Sequence, residues 1–197
     1  MLTSFNAQFA HPTGWPGHLA GWLMALKNRA RNAWTIELLD VRPADHILEI
    51  GFGPGWAIQQ LTALVTKGMV AGVDSSEAML RQARQRNAAA IRAGRAELRL
   101  GPNAPLLYAA AQFDKVFAVN STQFWPDLPA GLRELCRVLK ANGRVVLTYQ
   151  PPSGTDDDAR AMGEQLRTSM ESAGFRLVRL ETRALKPIIG VSVIGIK

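Results

Sequence analysis

From His46 onward the chain alternates short apolar runs with longer stretches of helical periodicity, and this alternation constrains the fold more than any other feature. The segments 46–50, 69–73, 97–100, 115–119 and 144–149 read as strands. Between them Trp56 to Lys67, Ser76 to about Ala93, and Pro129 to Lys140 read as helices, as does Thr155 to about Ala173. Gly68, Gly94 and Gly174 stand where these helices should stop, Ser75 or Ser76 caps the second, and residues 101–112 read as loop. Thr155 caps the last, with Asp156, Asp157 and Asp158 in its electropositive first turn. Two closing strands, Phe175 to about Thr182 and Ile188 to Ile196, are separated only by a short link around Leu185-Lys186-Pro187, so they should pair antiparallel. The pattern predicts an α/β fold: a doubly wound, mainly parallel seven-stranded sheet with an antiparallel C-terminal hairpin. Ligands in such sheets bind beyond the carboxyl ends of the strands, here the loops after residues 50, 73, 100, 119 and 149.

At 197 residues one domain is expected, and two full ones do not fit. Residues 41–197 hold the alternating pattern, whereas residues 1–40 precede it. Pro12, Gly14, Pro16 and Gly17 break up the first stretch. After them Leu19, Trp22, Leu23, Leu26, Ala30 and Ala33 form the apolar stripe of a helix over residues 18–39. Residues 1–40 are therefore expected to form a helical cap or lid, the simpler alternative being a helix docked on the sheet.

The most informative segment is Glu49-Ile50-Gly51-Phe52-Gly53-Pro54-Gly55-Trp56, three alternate glycines between a strand and a helix. Glycines let a backbone turn tightly and approach a ligand, and the helix start supplies free N–H donors. A dinucleotide cradle wants a glycine at the sixth position, where Trp56 stands if counting begins at Gly51 and Ile58 if it begins at Gly53. No lysine followed by Ser or Thr is present either, which excludes a P-loop. Asp74 ends the second strand, where a carboxylate can accept hydrogen bonds from both hydroxyls of a ribose.

Together, residues 49–55 and Asp74 resemble the class I S-adenosylmethionine-dependent methyltransferase family, whose sheet is Rossmann-like. The resemblance covers about residues 40–196. It takes in Phe113-Asp114-Lys115-Val116-Phe117-Ala118-Val119-Asn120 and the helix-turn-strand from Leu132 to Arg144. It is nearest to the small-molecule and lipid-type enzymes, such as those of quinone biosynthesis. It implies S-adenosylmethionine as cofactor, with Gly51, Gly53 and Gly55 along the methionine part and Glu49 positioning its amino group. It further implies Asp74 on the ribose, Ser75 and Met79 beside the adenine, and Asn120 near the sulfonium. Many relatives carry Gly-Asp-Ala after the third strand; here Gly101-Pro102-Asn103-Ala104 leaves Asn103 to accept the adenine amino group.

Methyl transfer from a sulfonium is an in-line displacement in which orientation supplies much of the rate, and a base is needed only for an acceptor that must lose a proton early. The candidate bases are His11, His18 and Tyr149, while His46, at the start of a strand, reads as structural. Trp15, Trp22, Gln123, Trp125 and Tyr149 are the candidate substrate contacts; the aromatics are equally suited to packing. No metal ligand set is apparent, and the single cysteine, Cys136, lies in an apolar helical pattern. The net charge of +7 fits an anionic partner or a solvated basic surface. The acceptor expected is a small molecule or a lipid-like substrate, with peripheral contact to an anionic membrane as an added possibility. An RNA methyltransferase, or a scaffold that binds the cofactor without turnover, is the alternative. With no membrane-length apolar run and no basic start before an apolar stretch, the expected compartment is the cytoplasm.

Overall fold

The computed structural model describes residues 29–197. Helix α1 occupies residues 29–39 of this range. It is followed by β1 (His46–Ile50), α2 (Trp56–Leu64), β2 (Met69–Asp74), α3 (Glu77–Arg86), α4 (Ala88–Arg92) and β3 (Ala96–Leu100). Then come β4 (Phe113–Val119), a 3-10 turn (Thr122–Phe124), α5 (Leu128–Val138), β5 (Leu139–Tyr149), α6 (Asp156–Ser172), β6 (Arg176–Arg183) and β7 (Gly190–Ile196). The seven strands form one sheet in the order β3-β2-β1-β4-β5-β7-β6. All neighbours are parallel until β7, which inserts between β5 and β6 and runs antiparallel to both. The chain order reverses between β1 and β4, and that is where such sheets open their ligand crevice.

Strand periodicity sorts the core into two layers. Leu48, Ile50, Val116, Ala118, Val145 and Leu147 face the side of α5 and α6, where Leu132, Leu135, Val138, Leu166 and Met170 cover them. Ile47, Phe117, Val119 and Val146 face α1, α2 and α3, meeting Leu39, Ile58, Leu61, Leu80 and Ala83. Helix α1 is docked rather than free over residues 29–39: Trp34 is 2% exposed, and Thr35 and Leu39 are fully buried. Thr35 Oγ1 donates to Thr148 Oγ1 at 2.7 Å, and Thr148 shares a 2.7 Å hydroxyl contact with Ser192, so the polar groups under the helix satisfy one another. Glu37 forks onto Arg183 of β6 at 2.9 and 3.0 Å.

Two elements differ from the sequence pattern. The helix expected over residues 76–93 breaks at Asn87, whose Nδ2 donates to the carbonyls of Ala83 (2.9 Å) and Gly55 (3.1 Å) and so competes with the helical ladder. Strand β5 begins five residues early, at Leu139, which pairs with Phe113 and is fully buried; Asn142 takes φ 60 within an irregular stretch of that pairing. At the amino ends of the strands Lys115 pairs with Asp45 at 2.8 Å, both nearly buried, and also donates to the Asp40 carbonyl. His46 lies at that end too, its N–H on Asp114 Oδ2 at 2.8 Å, remote from the crevice.

Candidate functional site

Because β1 and β2 are adjacent and parallel, Ile50 and Val73 are register partners and their following loops lie side by side. Gly51 N–H donates to the Val73 carbonyl at 2.7 Å, extending the ladder by one bond. The chain then turns, and Asp74 fixes the turn: its Oδ2 accepts Gly53 N–H and its Oδ1 accepts Ser76 N–H, each at 2.8 Å. Ser76 rather than Ser75 caps α3, through Met79 N–H at 3.4 Å, which leaves Ser75 exposed at the rim and Met79 buried beneath it.

The three glycines answer to different neighbours. A Cβ on Gly51 would stand 2.5 Å from Ser121 Cβ, and one on Gly55 would stand 2.7 Å from Asn87 Nδ2 and 2.8 Å from Ala83 Cβ. Those two positions are glycine because protein packs against them. Among the described residues a Cβ on Gly53 would meet nothing within 4 Å, and Gly53 has φ +53. The loop therefore presents one unobstructed backbone face to the crevice, at Gly53.

Glu49 alternates with Leu48 and Ile50 and so falls on the α2 side of the sheet, 3% exposed. Its Oε2 has no hydrogen-bond partner among the described residues. Burial first, and the nearby Asp74 carboxylate second, hold the Glu49 carboxyl well above the usual range. A cation in contact would reverse both effects. An orphaned buried carboxylate, a second carboxylate at the next strand end and an open glycine between them fit a ligand carrying an ammonium group and a vicinal diol. S-adenosylmethionine carries both.

Across the crevice the ends of β4 and β5 are latched by Asn120. At φ 50 it occupies the left-handed region, which asparagine tolerates better than most residues. Its Oδ1 accepts Gln150 N–H at 2.8 Å and its Nδ2 donates to the Gln150 carbonyl at 3.1 Å, so the side chain holds backbone. Ser121 Oγ donates to the Ile50 carbonyl at 2.8 Å, tying this end to the glycine loop. Gln123 is exposed and folds back onto the Asn120 carbonyl at 3.0 Å. Trp125 is half-buried against the α5 side of the core, in a space opened by Gly131, where a Cβ would collide with the indole and stand 2.9 Å from Asn103 Nδ2. Phe124 is 47% exposed beside it. Tyr149 packs with the cluster of Ala159, Ile188, Ile189 and Val191 under α6, and burial raises its phenol above the ordinary value. His11, His18, Trp15 and Trp22 lie outside the described residues.

Thus Glu49, Gly51, Gly53, Gly55, Asp74, Ser75 and Met79 gather at one half of the crevice. Asn103, Asn120, Gln123 and Trp125 belong to the other half, and Tyr149 faces α6. Sequence reasoning passed over Ser121, Arg86 and Asn87, which support the loop from outside it; an asparagine interrupting a helical run at Asn87 was the one available signal.

Comparison with known proteins agrees with this geometry. A family model described as "Methyltransferase domain" matches residues 47–143. An uncharacterized methyltransferase, YdaC, of Bacillus subtilis is 32% identical over 175 residues, 88% of this chain and 94% of that protein. Nocamycin O-methyltransferase of Saccharothrix syringae is 36% identical over 121 residues, 60% of this chain and 43% of that protein. Among solved structures, a SAM-dependent methyltransferase from Aquifex aeolicus shares the fold, with a TM-score of 0.71 at 17% identity over 87% of this chain and 94% of that one. The chain belongs to the methyltransferase family, with the class I, S-adenosylmethionine-dependent architecture that its sequence resembles.

Proposed function

We propose that the protein transfers the methyl group of S-adenosylmethionine to a small-molecule or lipid-like acceptor by in-line displacement. When bound, the cofactor supplies an activated methyl on a sulfonium, which departs as a neutral thioether and needs no acid. The chain's own work is to bind and orient. Gly51, Gly53 and Gly55 would line the methionine part, Glu49 would receive its ammonium, and Asp74 would hold the ribose hydroxyls. Ser75 and Met79 would border the adenine from one half of the crevice and Asn103 from the other. The Asn120 latch would shape the sulfonium end through backbone rather than through its amide, since its amide is engaged with Gln150.

The acceptor class rests on one observation. Beyond β4, among polar neighbours, the rim carries two aromatic side chains, Phe124 47% exposed and Trp125 half-buried. An aromatic wall suits an apolar acceptor, and the nocamycin enzyme, by its name an O-methyltransferase, supports the same class. Trp15 and Trp22 would add to this wall and His11 or His18 would serve an acceptor that must lose a proton, with residues 1–40 acting as the cover. Tyr149, packed under α6 with a raised pKa, would contribute as a neutral phenol. The reading places the protein in the cytoplasm, with anionic membrane contact where the acceptor is a lipid; among the described residues no helix is long and apolar enough to cross a membrane.

Transfer of radiolabel from methyl-labelled cofactor into fractionated small-molecule, lipid and RNA pools tests this. Label is expected in an organic-extractable fraction. Label in RNA, lost steeply with added salt, would establish the nucleic-acid alternative instead. Tight cofactor binding without label in any pool would leave the scaffold reading.

A further inference from the structure

The glycine loop is held from behind as well as from the crevice. The last turn of α3 and the residue after it bring two side chains to two consecutive loop carbonyls. Arg86 donates to the Pro54 carbonyl, and Asn87 donates to the Gly55 carbonyl at 3.1 Å while also capping Ala83 at 2.9 Å. Asn87 is 3% exposed, so the bond it makes to Gly55 is made away from water, where an unpaired carbonyl is costly. The guanidinium of Arg86 further lies 4.6 Å from the centroid of the Trp56 ring, the first residue of α2. That ring carries a second cation: Arg29 of α1 lies 4.3 Å from its centroid. Two like charges gathered on one indole repel, and burial together with Arg29 lowers the Arg86 pKa, yet an aromatic face attracts each cation. The arrangement joins three elements, α1, α2 and α3, at the residue that follows Gly55.

We propose that Arg86 and Asn87 are positioning residues for the cofactor loop, and that Arg29 is coupled to that loop through the Trp56 ring. The inference rests on the loop being the cofactor's cradle. Neither Arg86 nor Asn87 touches the crevice face at Gly53; they act by fixing the carbonyls of Pro54 and Gly55, and so the direction of the N–H groups on the same peptide planes. Losing one charged hydrogen bond and a ring contact releases the loop into conformations that do not bind, and affinity falls by the fraction of molecules released. Arg29 thereby ties the loop to α1.

Titration calorimetry with S-adenosylhomocysteine, paired with hydrogen exchange of residues 51–57, tests the assignment. Arg86→Ala is expected to bind about tenfold more weakly, equivalent to about 1.4 kcal/mol, with faster exchange confined to the loop. Arg29→Ala is expected to weaken binding about threefold in the wild-type background and to add less than that on top of Arg86→Ala, the mark of coupled neighbours. Arg81→Ala, an exposed change on the same helix, should bind as wild type. Unchanged affinity in a folded Arg86→Ala protein overturns the proposal. Should that variant not fold, Arg86→Gln decides by the same criterion, since it too gives up the charge and the ring contact. Full additivity of Arg29→Ala and Arg86→Ala overturns the coupling. Gly53→Val separates the two levels: if it binds normally the cradle itself is misplaced, whereas if it fails to bind while the Arg86 variants bind normally only the positioning role is lost.

Discussion

Replacing each loop glycine by alanine should separate ligand contact from protein contact. At Gly53 the added Cβ meets no atom of the described residues within 4 Å, so the folding cost there is the backbone term. A non-glycine residue in the left-handed region costs about 1–2 kcal/mol, and a chain of this length loses about 2–4 °C of melting temperature per kcal/mol. Gly53→Ala should therefore melt only a few degrees below wild type. Gly55→Ala carries a similar backbone term at φ +79 and a collision besides: Asn87 Nδ2 at 2.7 Å, Ala83 Cβ at 2.8 Å and Ala83 Cα at 3.0 Å. The last atom is backbone and cannot swing aside, so an overpacking cost of about 1–3 kcal/mol is added, for a total loss of roughly 4–20 °C. Binding should rank the other way. The Gly53 methyl intrudes only when the cradle is filled, and the same overpacking charged to the bound state predicts about tenfold to hundredfold weaker S-adenosylhomocysteine binding. Scanning calorimetry and titration calorimetry on the two variants check both halves. A folded Gly53→Ala protein that binds within twofold of wild type would refute the placement of the cradle. A Gly53→Ala protein less stable than Gly55→Ala would refute the reading of their contacts.

Asp74→Ala should weaken S-adenosylhomocysteine binding by about 1.5–3 kcal/mol, the worth of hydrogen bonds to a charged group, and unchanged affinity in a folded protein would remove Asp74 from the site. Glu49→Gln should bind more weakly yet gain stability over wild type as pH rises. The Glu49 carboxyl is raised in the folded chain, so the unfolded chain releases its proton first, from about pH 4.3 upward, and wild-type stability falls until the folded carboxyl also ionises. Melting curves of the two proteins that stay parallel between about pH 4 and 8 would show that Glu49 is not the buried, raised group described. Deleting residues 1–17 should leave cofactor binding nearly intact and sharply reduce methyl transfer; unfolding of the truncated protein would make the segment structural, and full transfer would exclude a covering role.

The sheet was legible because its strands are buried on both faces and their helices carry clear stops; Gly68, Gly94 and Gly174 all lie beyond helix ends. Antiparallel pairing of the last two strands followed from the shortness of their link, but the insertion of β7 between β5 and β6 did not. A local sign was nonetheless present: Gly190–Ile196 is apolar but for Ser192, as suits a strand covered on both sides, whereas Arg176–Arg183 is largely polar, as an edge strand can be. Reading that contrast would have placed β7 inside and β6 at the edge. The break at Asn87 is marked in the sequence only by one asparagine among good helix formers, Arg86 before it and Ala88-Ala89-Ala90 after it, and its cause, the Gly55 carbonyl, is 32 residues away.

The glycine loop shows where such reading stops. Alternate glycines between a strand and a helix announce a loop at which something approaches closely, but each glycine looks the same in the sequence. Gly51 yields to Ser121, from the loop after β4, and Gly55 yields to Ala83 and Asn87, from α3 and the residue beyond it. Both partners are distant in the chain and neighbours only because β1 sits between β2 and β4. Once those two are assigned to protein, Gly53 remains the loop glycine without a neighbour among the described residues, and its N–H is already turned onto the Asp74 carboxylate at 2.8 Å. The glycine proposed to face the ligand is thus the one left by subtraction over the described tertiary contacts, and the same subtraction singles out Arg86 and Asn87, which hold the loop at the carbonyls of Pro54 and Gly55.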